Sequence, residues 1–438
     1  MRLKIQNINK VQEADIKLDG LTVIAGANSS GKSTVGKLLF SIIKAISNAD
    51  ELSHQGKENK LRKRVNQLYN RVNGCFSRYE DESVNEMFPL PSNKMVECLL
   101  GLEDKESVEE YLSQILFWVD SKGVTPRLKS LFDEDIENIR IALGDSQAAD
   151  LASEVRSFVE SEFMGNICSY GTDASSAAFE LNGENDSVEF LFKNNRVSKV
   201  SIKYDDHLAD ATYVESPLYL HILDTLLYAM TYREYQKKPR TLFRGMVPIH
   251  IKDLASKLYA LQMASSDGEI SQQLGLSEIM GGKFAFDNDS KTLKFAQDNI
   301  GVDFSPINIA SGIKTFGLVQ ILLDTLVIGN NKILIWDEPE NHLHPKWQIA
   351  FAEVLVRLAK RGIPVVISTH SPYFIQGVRY FSAKHEMENF TNYYLAEEQE
   401  NHLSILKEVT RDLNLVFSKL AEPLKEIMNI NSVNRERL

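Results

Sequence analysis

The pattern of apolar and polar positions divides the chain into an outer α/β part and a helical interior. Residues 1 to about 48 read as strand, turn, strand, loop and helix. Met1-Arg-Leu-Lys-Ile-Gln-Asn-Ile8 alternates like a half-buried strand, Leu21-Thr-Val-Ile-Ala25 is a short β-rich apolar run, and Val35 to Ile43 is helix-compatible. From about 49 to 175 the texture is helical. Val108, Tyr111, Leu112, Ile115, Leu116 and Val119 share one face, and Leu151, Val155 and Phe158 continue the pattern. No heptad is sustained, which predicts a compact helical insertion and not a coiled-coil arm. Residues 176–216 predict antiparallel strands at 178–181, 188–192, 197–204 and 211–214, separated by Asn, Gly and Asp turns. Residues 217–305 predict helices from 218 to about 280, then a hairpin of 283–286 with 292–296. The last part, 306–438, alternates: helix from about 313, strand 332–336, helix 346–361, strand 364–369, helix 372–380.

Two segments add chemistry to this frame. Gly26-Ala-Asn28-Ser-Ser30-Gly31-Lys32-Ser33-Thr34 matches the phosphate-loop pattern in full and lies between a predicted strand and a predicted helix, the setting that pattern requires. Its glycines let backbone N–H groups curl around phosphate oxygens, the following helix offers its positive end, and Lys32 adds a charge near the β and γ phosphates. Far downstream, the apolar run Ile333-Leu-Ile-Trp336 ends in Asp337-Glu338-Pro-Glu340-Asn-His-Leu-His-Pro345. A buried strand ending in two carboxylates suits a Mg²⁺ ion and a polarised water. Ser33 is expected to ligate the ion and Asp337 to hold its other side.

Composition bounds the rest. The chain has 438 residues, 43% hydrophobic and 25% charged, as soluble globular proteins do. No apolar run reaches membrane-spanning length and no secretory signal is legible, so the expected location is the cytoplasm and no membrane partner is expected. Cys75, Cys98 and Cys168 are widely spaced without a CxxC pattern, which argues against a disulfide framework or a zinc site. The net charge of −11 argues against a wholesale electrostatic grip on nucleic acid. The basic run Lys57-Glu-Asn-Lys-Leu-Arg-Lys-Arg64 is a local exception, most simply read as a solvated helix face.

Two weaker signals lie around the carboxylate strand. Ser311-Gly312 opens a predicted helix and offers N–H groups to an anion. Ile363-Pro-Val-Val-Ile-Ser-Thr-His370-Ser371-Pro372 is a buried strand ending in a polar cluster, from which a histidine can reach a γ-phosphate or an attacking water.

The order of these motifs resembles the ATP-binding-cassette superfamily. Its soluble branch of chromosome-maintenance, double-strand-break-repair and overcoming-lysogenization-defect (OLD) type ATPases is the nearest in pattern. The strings 337–348 and 368–374 are similar to those of AAA-type ATPases of the Septu and retron phage-defence loci. The resemblance implies an α/β fold, an ABC-type P-loop ATPase head with a mixed central sheet, an antiparallel β layer and a helical insertion, and ATP with Mg²⁺ as cofactors. It gives Lys32, Ser33 and Thr34 the phosphate-loop roles, Asp337 the magnesium aspartate, Glu338 the glutamate that activates water and His370 the switch histidine. It gives Ser311 and Gly312 the signature pair, which in this superfamily closes the nucleotide site of a second subunit, and His344 the place of the D-loop aspartate. Residues 340–344 are thereby expected to face that subunit.

Two departures stand out. The signature reads Ala-Ser-Gly-Ile-Lys, and Tyr213-Val-Glu215-Ser216-Pro217 occupies the lid position without a glutamine, leaving Glu215 or Ser216 as the candidate magnesium or water contact there. The resemblance implies a homodimer or a higher oligomer of dimers that hydrolyses ATP and governs a separately encoded effector, an HNH or TOPRIM nuclease or a toxin, in anti-phage defence. A DNA-binding genome-maintenance ATPase is the alternative. The lid and signature departures weigh against a transporter subunit. The stretch after His370 is too short for an OLD-type nuclease domain and contains no Asp-x-Asp pair.

Overall fold

The structure is a computed structural model and describes residues 1–76, 92–102, 105–121, 124–144, 147–181, 187–203, 210–223, 225–226, 247–259, 269–287, 292–298 and 300–422. Two compact units emerge. One comprises Met1–Ser47 with Glu154–Leu438, and the other is Asn48–Ser153. Their boundaries fall inside two helices, α1 (Lys32–Phe76) and α5 (Gln147–Glu162).

The smaller unit is helical. With its part of α1 it contains α2 (Ser92–Gly101), α3 (Lys105–Ser121) and α4 (Pro126–Gly144). Its own core joins Leu61, Val65, Leu68 and Val72 of α1 to Val96, Leu99, Leu112, Ile115, Val119, Phe132, Ile136 and Ile139. The α3 face read from spacing is the one that is buried. Arg71 Nε pairs with the buried Asp135 at 2.5 Å. The basic run 57–64 falls within α1, and the side chains at 57–60 and 63 lie outside the described residues, as does that of Cys75.

The larger unit is built on an eleven-stranded mixed sheet. Its centre consists of β3 (Leu21–Gly26), β11 (Lys332–Asp337), β12 (Val365–Thr369), β13 (Thr391–Glu398) and β7 (Asp210–Val214), all parallel. β3 and β12 are buried along their whole length, which their unbroken apolar runs require of strands covered on both faces. Beyond β13 the sheet continues through β14 (Ser404–Glu408) to β2 (Val11–Lys17) and β1 (Arg2–Ile8). From β1 the antiparallel strands β4 (Ala174–Glu180), β5 (Ser187–Lys193) and β6 (Arg196–Lys203) follow. The antiparallel layer is thus an extension of the central sheet. A separate three-stranded sheet holds β8 (Gly282–Asp287), β9 (Thr292–Gln297) and β10 (Asp303–Phe304); β8 and β9 are the predicted hairpin.

Several elements differ from the pattern-based reading. Helical structure ends at Glu162 and not near 175, and β4 begins at Ala174. In the stretch 218–280 the described residues contain a 3₁₀ turn at Pro217–His221, α6 (Ile249–Tyr259), α7 (Glu269–Gln273) and α8 (Leu276–Met280). Ser216 caps that turn through its side chain, with Pro217 at the first position. Strands β13 and β14 had no distinct local signal.

Three helices cover the sheet centre: α9 (Ser311–Asp324), α10 (Pro345–Lys360) and α11 (Pro372–Lys384). Residues 314–323 of α9 are all buried, as expected of a helix without a polar face. α10 is amphipathic, capped by His344 and opened by Pro345, with Arg357 and Lys360 in its last turn. The three-stranded sheet is tied to α9 by Gln320, whose side chain accepts from Phe284 N at 2.9 Å and donates to Phe284 O at 2.8 Å. Beside it, a Cβ at Gly317 would lie 2.2 Å from the Phe284 ring. Gly317→Ala is therefore expected to lower stability by about 1–3 kcal/mol through overpacking. Urea unfolding followed by fluorescence measures it, and an unchanged midpoint would contradict this packing.

Candidate nucleotide site

Parallel pairing brings three strand ends to one line. Thr369 of β12 lies beside Ala25 of β3, and Asp337 of β11 beside Ser368. The loop after β3, the Asp337-Glu338 pair and His370 therefore meet at the carboxyl edge of the sheet, where open α/β sheets place their ligands.

The phosphate loop is shaped by its small residues. Ser29 and Gly31 have φ of 61° and 85°. A Cβ at Gly31 would come within 2.9 Å of Val11, and one at Gly26 within 2.7 Å of Ser30 Oγ. Asn28 and Ser33 are exposed at the mouth of the loop, whereas Ser30, Lys32 and Thr34 are buried. α1 starts at Lys32, so its first N–H groups and its positive end face the loop interior. Lys32 Nζ donates to the carbonyls of Gly26 at 3.0 Å and Ala27 at 2.8 Å, and stands 3.9 Å from Glu338 Oε1. Burial pulls its ammonium below the usual lysine range, against the raising influence of Glu338, Asp337 and Glu340.

The carboxylates have distinct supports. Asp337 accepts hydrogen bonds from the Ser368 hydroxyl and, at 3.0 Å, from the Tyr213 hydroxyl. Burial, followed by the charge of Asp337, raises Tyr213 well above the tyrosine range and keeps it a donor. Glu338 adopts φ of 47° and donates its N–H to Ser368 O at 2.9 Å. That left-handed turn aims its side chain back toward Lys32, and Asn341 Nδ2 donates to Oε2 at 3.0 Å. His370 Nδ1 stands 3.2 Å from Glu338 Oε1 and 3.4 Å from Glu340 Oε1, within ion-pair range but outside hydrogen-bonding geometry.

Glu340 corrects the expectation that residues 340–344 face a second subunit. It is buried, as is Leu343, and its Oε1 accepts from Thr369 Oγ1 at 2.6 Å, His370 N at 2.8 Å and Ser371 N at 3.1 Å. The side chain closes the end of β12 onto the start of α11. Burial pushes Glu340 above the usual carboxylate range, despite these donors. Within that segment His342 and His344 are exposed.

Ser311 and Gly312 lie in the first turn of α9, partly exposed, with Gly312 against Trp347. No recorded bond among the described residues joins either to the phosphate loop or to Asp337 and Glu338. The structure thus groups Lys32, Asp337, Glu338 and His370 and leaves the Ser-Gly pair outside that group.

The donor set fits a magnesium nucleotide. Among the described residues no three His, Cys, Asp or Glu side chains converge as a metal cage. Mg²⁺ bound with a nucleotide takes only one or two protein ligands besides phosphates and water. Ser33 and Asp337 are of that kind, and the loop N–H groups with Lys32 suit the phosphates.

At the lid position Glu215, singled out in the sequence, belongs to a network that the sequence did not reveal. Glu215 Oε2 accepts from the Tyr219 hydroxyl at 2.9 Å and lies 3.1 Å from His250 Nε2, while His250 Nδ1 lies 2.5 Å from Glu162 Oε2. These groups are far apart in the chain and carry no shared local signal.

Fold and site together give a mixed α/β sheet with a phosphate loop and an Asp-Glu pair at its carboxyl edge. Residues 177–376 match the family described as "AAA domain, putative AbiEii toxin, Type IV TA system". The match takes in Asp337, Glu338 and His370 but not the phosphate loop. The chain is 36% identical over 93 residues to Protein ea59 of Escherichia phage lambda, covering 21% of this chain and 17% of that protein. It is 30% identical over 113 residues to Uncharacterized protein MJ1542 of Methanocaldococcus jannaschii, covering 26% of this chain and 13% of that protein. It therefore spans less than a fifth of the length of these curated relatives. Among solved structures, the SMC head domain from Thermotoga maritima aligns at 11% identity and TM-score 0.38, covering 93% of this chain and 98% of that one. The Smc head domain with an extended coiled coil bound to the C-terminal domain of ScpA, from Pyrococcus furiosus, aligns at 10% identity and TM-score 0.40, covering 98% of each chain. No helix among the described residues is long and apolar enough to cross a membrane.

Titration of the lid network is expected to mark stability. Burial lowers the His250 value, but its bonds to Glu162 and Glu215 outweigh this and leave it raised above 6.5. The His250 bond, opposed by burial and aided by Lys37 and Tyr219, holds Glu215 down to about 2. A raised histidine contributes stability fully below its unfolded value, which is lost as pH rises through the folded value; the depressed Glu215 loses its share only as pH falls toward 2. Tm should therefore fall more steeply as pH rises above 6.5 in the parent than in His250→Gln. Parallel pH profiles in thermal unfolding would contradict this.

Proposed function

We propose that this protein binds and hydrolyses MgATP at the carboxyl edge of β3, β11 and β12. The observation that carries the reading is the meeting of Lys32, Asp337, Glu338 and His370 across three adjacent parallel strands. Lys32 and the first N–H groups of α1 hold the β and γ phosphates, joined in the loop by Gly26, Asn28, Ser30, Gly31 and Thr34. Ser33 and Asp337 hold Mg²⁺, which supplies charge neutralisation of the transferring phosphoryl group when bound. Glu338 orients and deprotonates the attacking water, its oxygens set by Asn341 on one side and Lys32 on the other. His370 faces the same space and is fixed at its backbone by Glu340.

Ser311-Gly312 completes the site of a second copy. Its place outside the group around Lys32, at the free start of α9, supports this role, and the functional unit is then a homodimer or a dimer-based oligomer. ATP turnover in that assembly governs a separately encoded effector, a nuclease or a toxin, in anti-phage defence. The description of the matching family, with its toxin and toxin–antitoxin terms, supports this setting, as does the partial likeness to a phage lambda protein.

Lys32→Ala is expected to abolish binding of a fluorescent ATP analogue, whereas Glu338→Gln retains ATP and lowers turnover by about 10²-fold or more, as loss of a positioned base does. Equilibrium binding and phosphate release measure the two. Turnover in Glu338→Gln equal to the parent's would sink the assignment.

A further inference from the structure

A polar cavity of about 210 Å³ lies at the amino end of β13, between α11 and the segment that follows β14. Thr391 pairs there with Leu21 at the start of β3, whereas Ala396 pairs with Gly26 of the phosphate loop. At the rise of a parallel strand, about 16 Å therefore separates the cavity from the nucleotide site. None of its lining residues serves the reaction above.

Its polar groups are donors with nothing to donate to. The Tyr393 hydroxyl has no hydrogen-bond partner, on a side chain only 6% exposed. Burial raises it above the tyrosine range, against the lowering influence of Ser382 and Arg379, so it keeps its proton. The neighbouring hydroxyls are committed to each other. Thr391 donates to Met387 O at 2.8 Å, which leaves Ser382 as the donor in their 3.0 Å contact. Thr410 Oγ1 accepts the Tyr393 N–H at 3.0 Å, and its own proton finds no acceptor among the described residues. Arg379 and Arg411 are exposed where they line the cavity, and neither forms an ion pair among the described residues. Glu388 adds an exposed carboxylate to the lining.

Two guanidiniums and two free hydroxyls, brought in from α11, β13 and the segment after β14, call for more than one negative charge and several acceptor oxygens. A carboxylate offers one charge and two oxygens. A phosphate monoester carries about −1.5 to −2 at neutral pH on three oxygens, and arginine forks bind it through paired hydrogen bonds. The volume falls below the roughly 300–1,000 Å³ of sites that enclose drug-sized ligands, so a small ester fits and a whole nucleotide does not. Glu388 repels a bare phosphate but accepts from a hydroxyl on the carbon part of an ester.

We propose that this cavity binds a small hydroxylated phosphate monoester, with Arg379 and Arg411 on the phosphoryl oxygens, Tyr393 and Thr410 donating beside them, and Glu388 accepting from the ligand's hydroxyl.

The test uses the full chain, with glycerol 3-phosphate and inorganic phosphate as probes in isothermal titration calorimetry and ligand-free thermal unfolding beside it. Glycerol 3-phosphate is expected to bind one site with equal affinity in the parent and in Lys32→Ala, whose phosphate loop lacks its lysine. Arg379→Gln and Arg411→Gln should each weaken it by about tenfold or more, as loss of a bond to a charged group does. Tyr393→Phe should weaken it by a similar factor while Tm stays at or above the parent value, because the hydroxyl holds no bond inside the protein. A merely structural hydroxyl would lower Tm and leave affinity unchanged. Glu388→Gln should tighten inorganic phosphate and erase the preference for glycerol 3-phosphate. A parent that binds neither probe overturns the proposal, and so does parental affinity in a folded protein carrying both Arg379→Gln and Arg411→Gln. Loss of binding in Lys32→Ala would assign the ester to the phosphate loop and overturn it as well. Malate bound as tightly as glycerol 3-phosphate would refute the phosphate class, and a phosphoserine peptide or 5′-phosphorylated oligonucleotide bound more tightly would refute the small molecule.

Discussion

The parallel register of β3, β12 and β11 is the constraint on which the rest of the site depends. Each strand contributes one element at its carboxyl end: the phosphate loop, the Ser-Thr-His corner, and the Asp-Glu pair. Slipping one strand by a single residue would turn its end residues to the other face of the sheet and separate Lys32 from Glu338. The all-buried runs of β3 and β12 and the buried stretch 314–323 of α9 make such a slip expensive, because every residue moved would exchange one buried position for another that does not fit it.

On this frame the charges are arranged in tiers. Lys32 faces Asp337, Glu338 and Glu340, a locally acidic group that suits a divalent cation brought in with phosphates. Glu340 is used internally: it accepts the His370 N–H and shares the Ser371 N–H with Thr369 Oγ1 at the start of α11. Glu215 stands on the neighbouring strand, tied to a histidine that is tied to another glutamate. Burial raises both carboxyls; it prevails at Glu340, whereas at Glu215 the bond to His250 outweighs it.

Much of this was legible before the fold was known, for a local reason. A phosphate loop works through consecutive backbone N–H groups, and a carboxylate strand through an apolar run with acids at its end, so both leave contiguous traces. The α3 face, the β8–β9 hairpin and the alternation after Ser311 were legible for the same reason. What could not be read depends on pairings between distant segments. Glu340 follows Glu338 closely, and adjacency in the motif suggested that it faced outward as well; a left-handed turn at Glu338 sends it inward. The Tyr213 hydroxyl on Asp337 and the Glu162–His250 pair join residues separated by 124 and 88 positions. β13 and β14 have unremarkable local patterns, and their place is set by β3 and β2.

The central claim, that one catalytic site is assembled from the phosphate loop of one copy and Ser311-Gly312 of another, is tested most directly by mixing two inactive variants. Lys32→Ala lacks a working loop, and Ser311→Arg blocks the signature. A mixed dimer of the two retains one intact composite site. The account predicts that each variant alone releases no phosphate from ATP and that the mixture regains a clear fraction of the parent rate. A mixture as inactive as its components, under conditions in which the two proteins exchange subunits, would contradict it, and so would a Ser311→Arg protein that turns over ATP at the parent rate by itself.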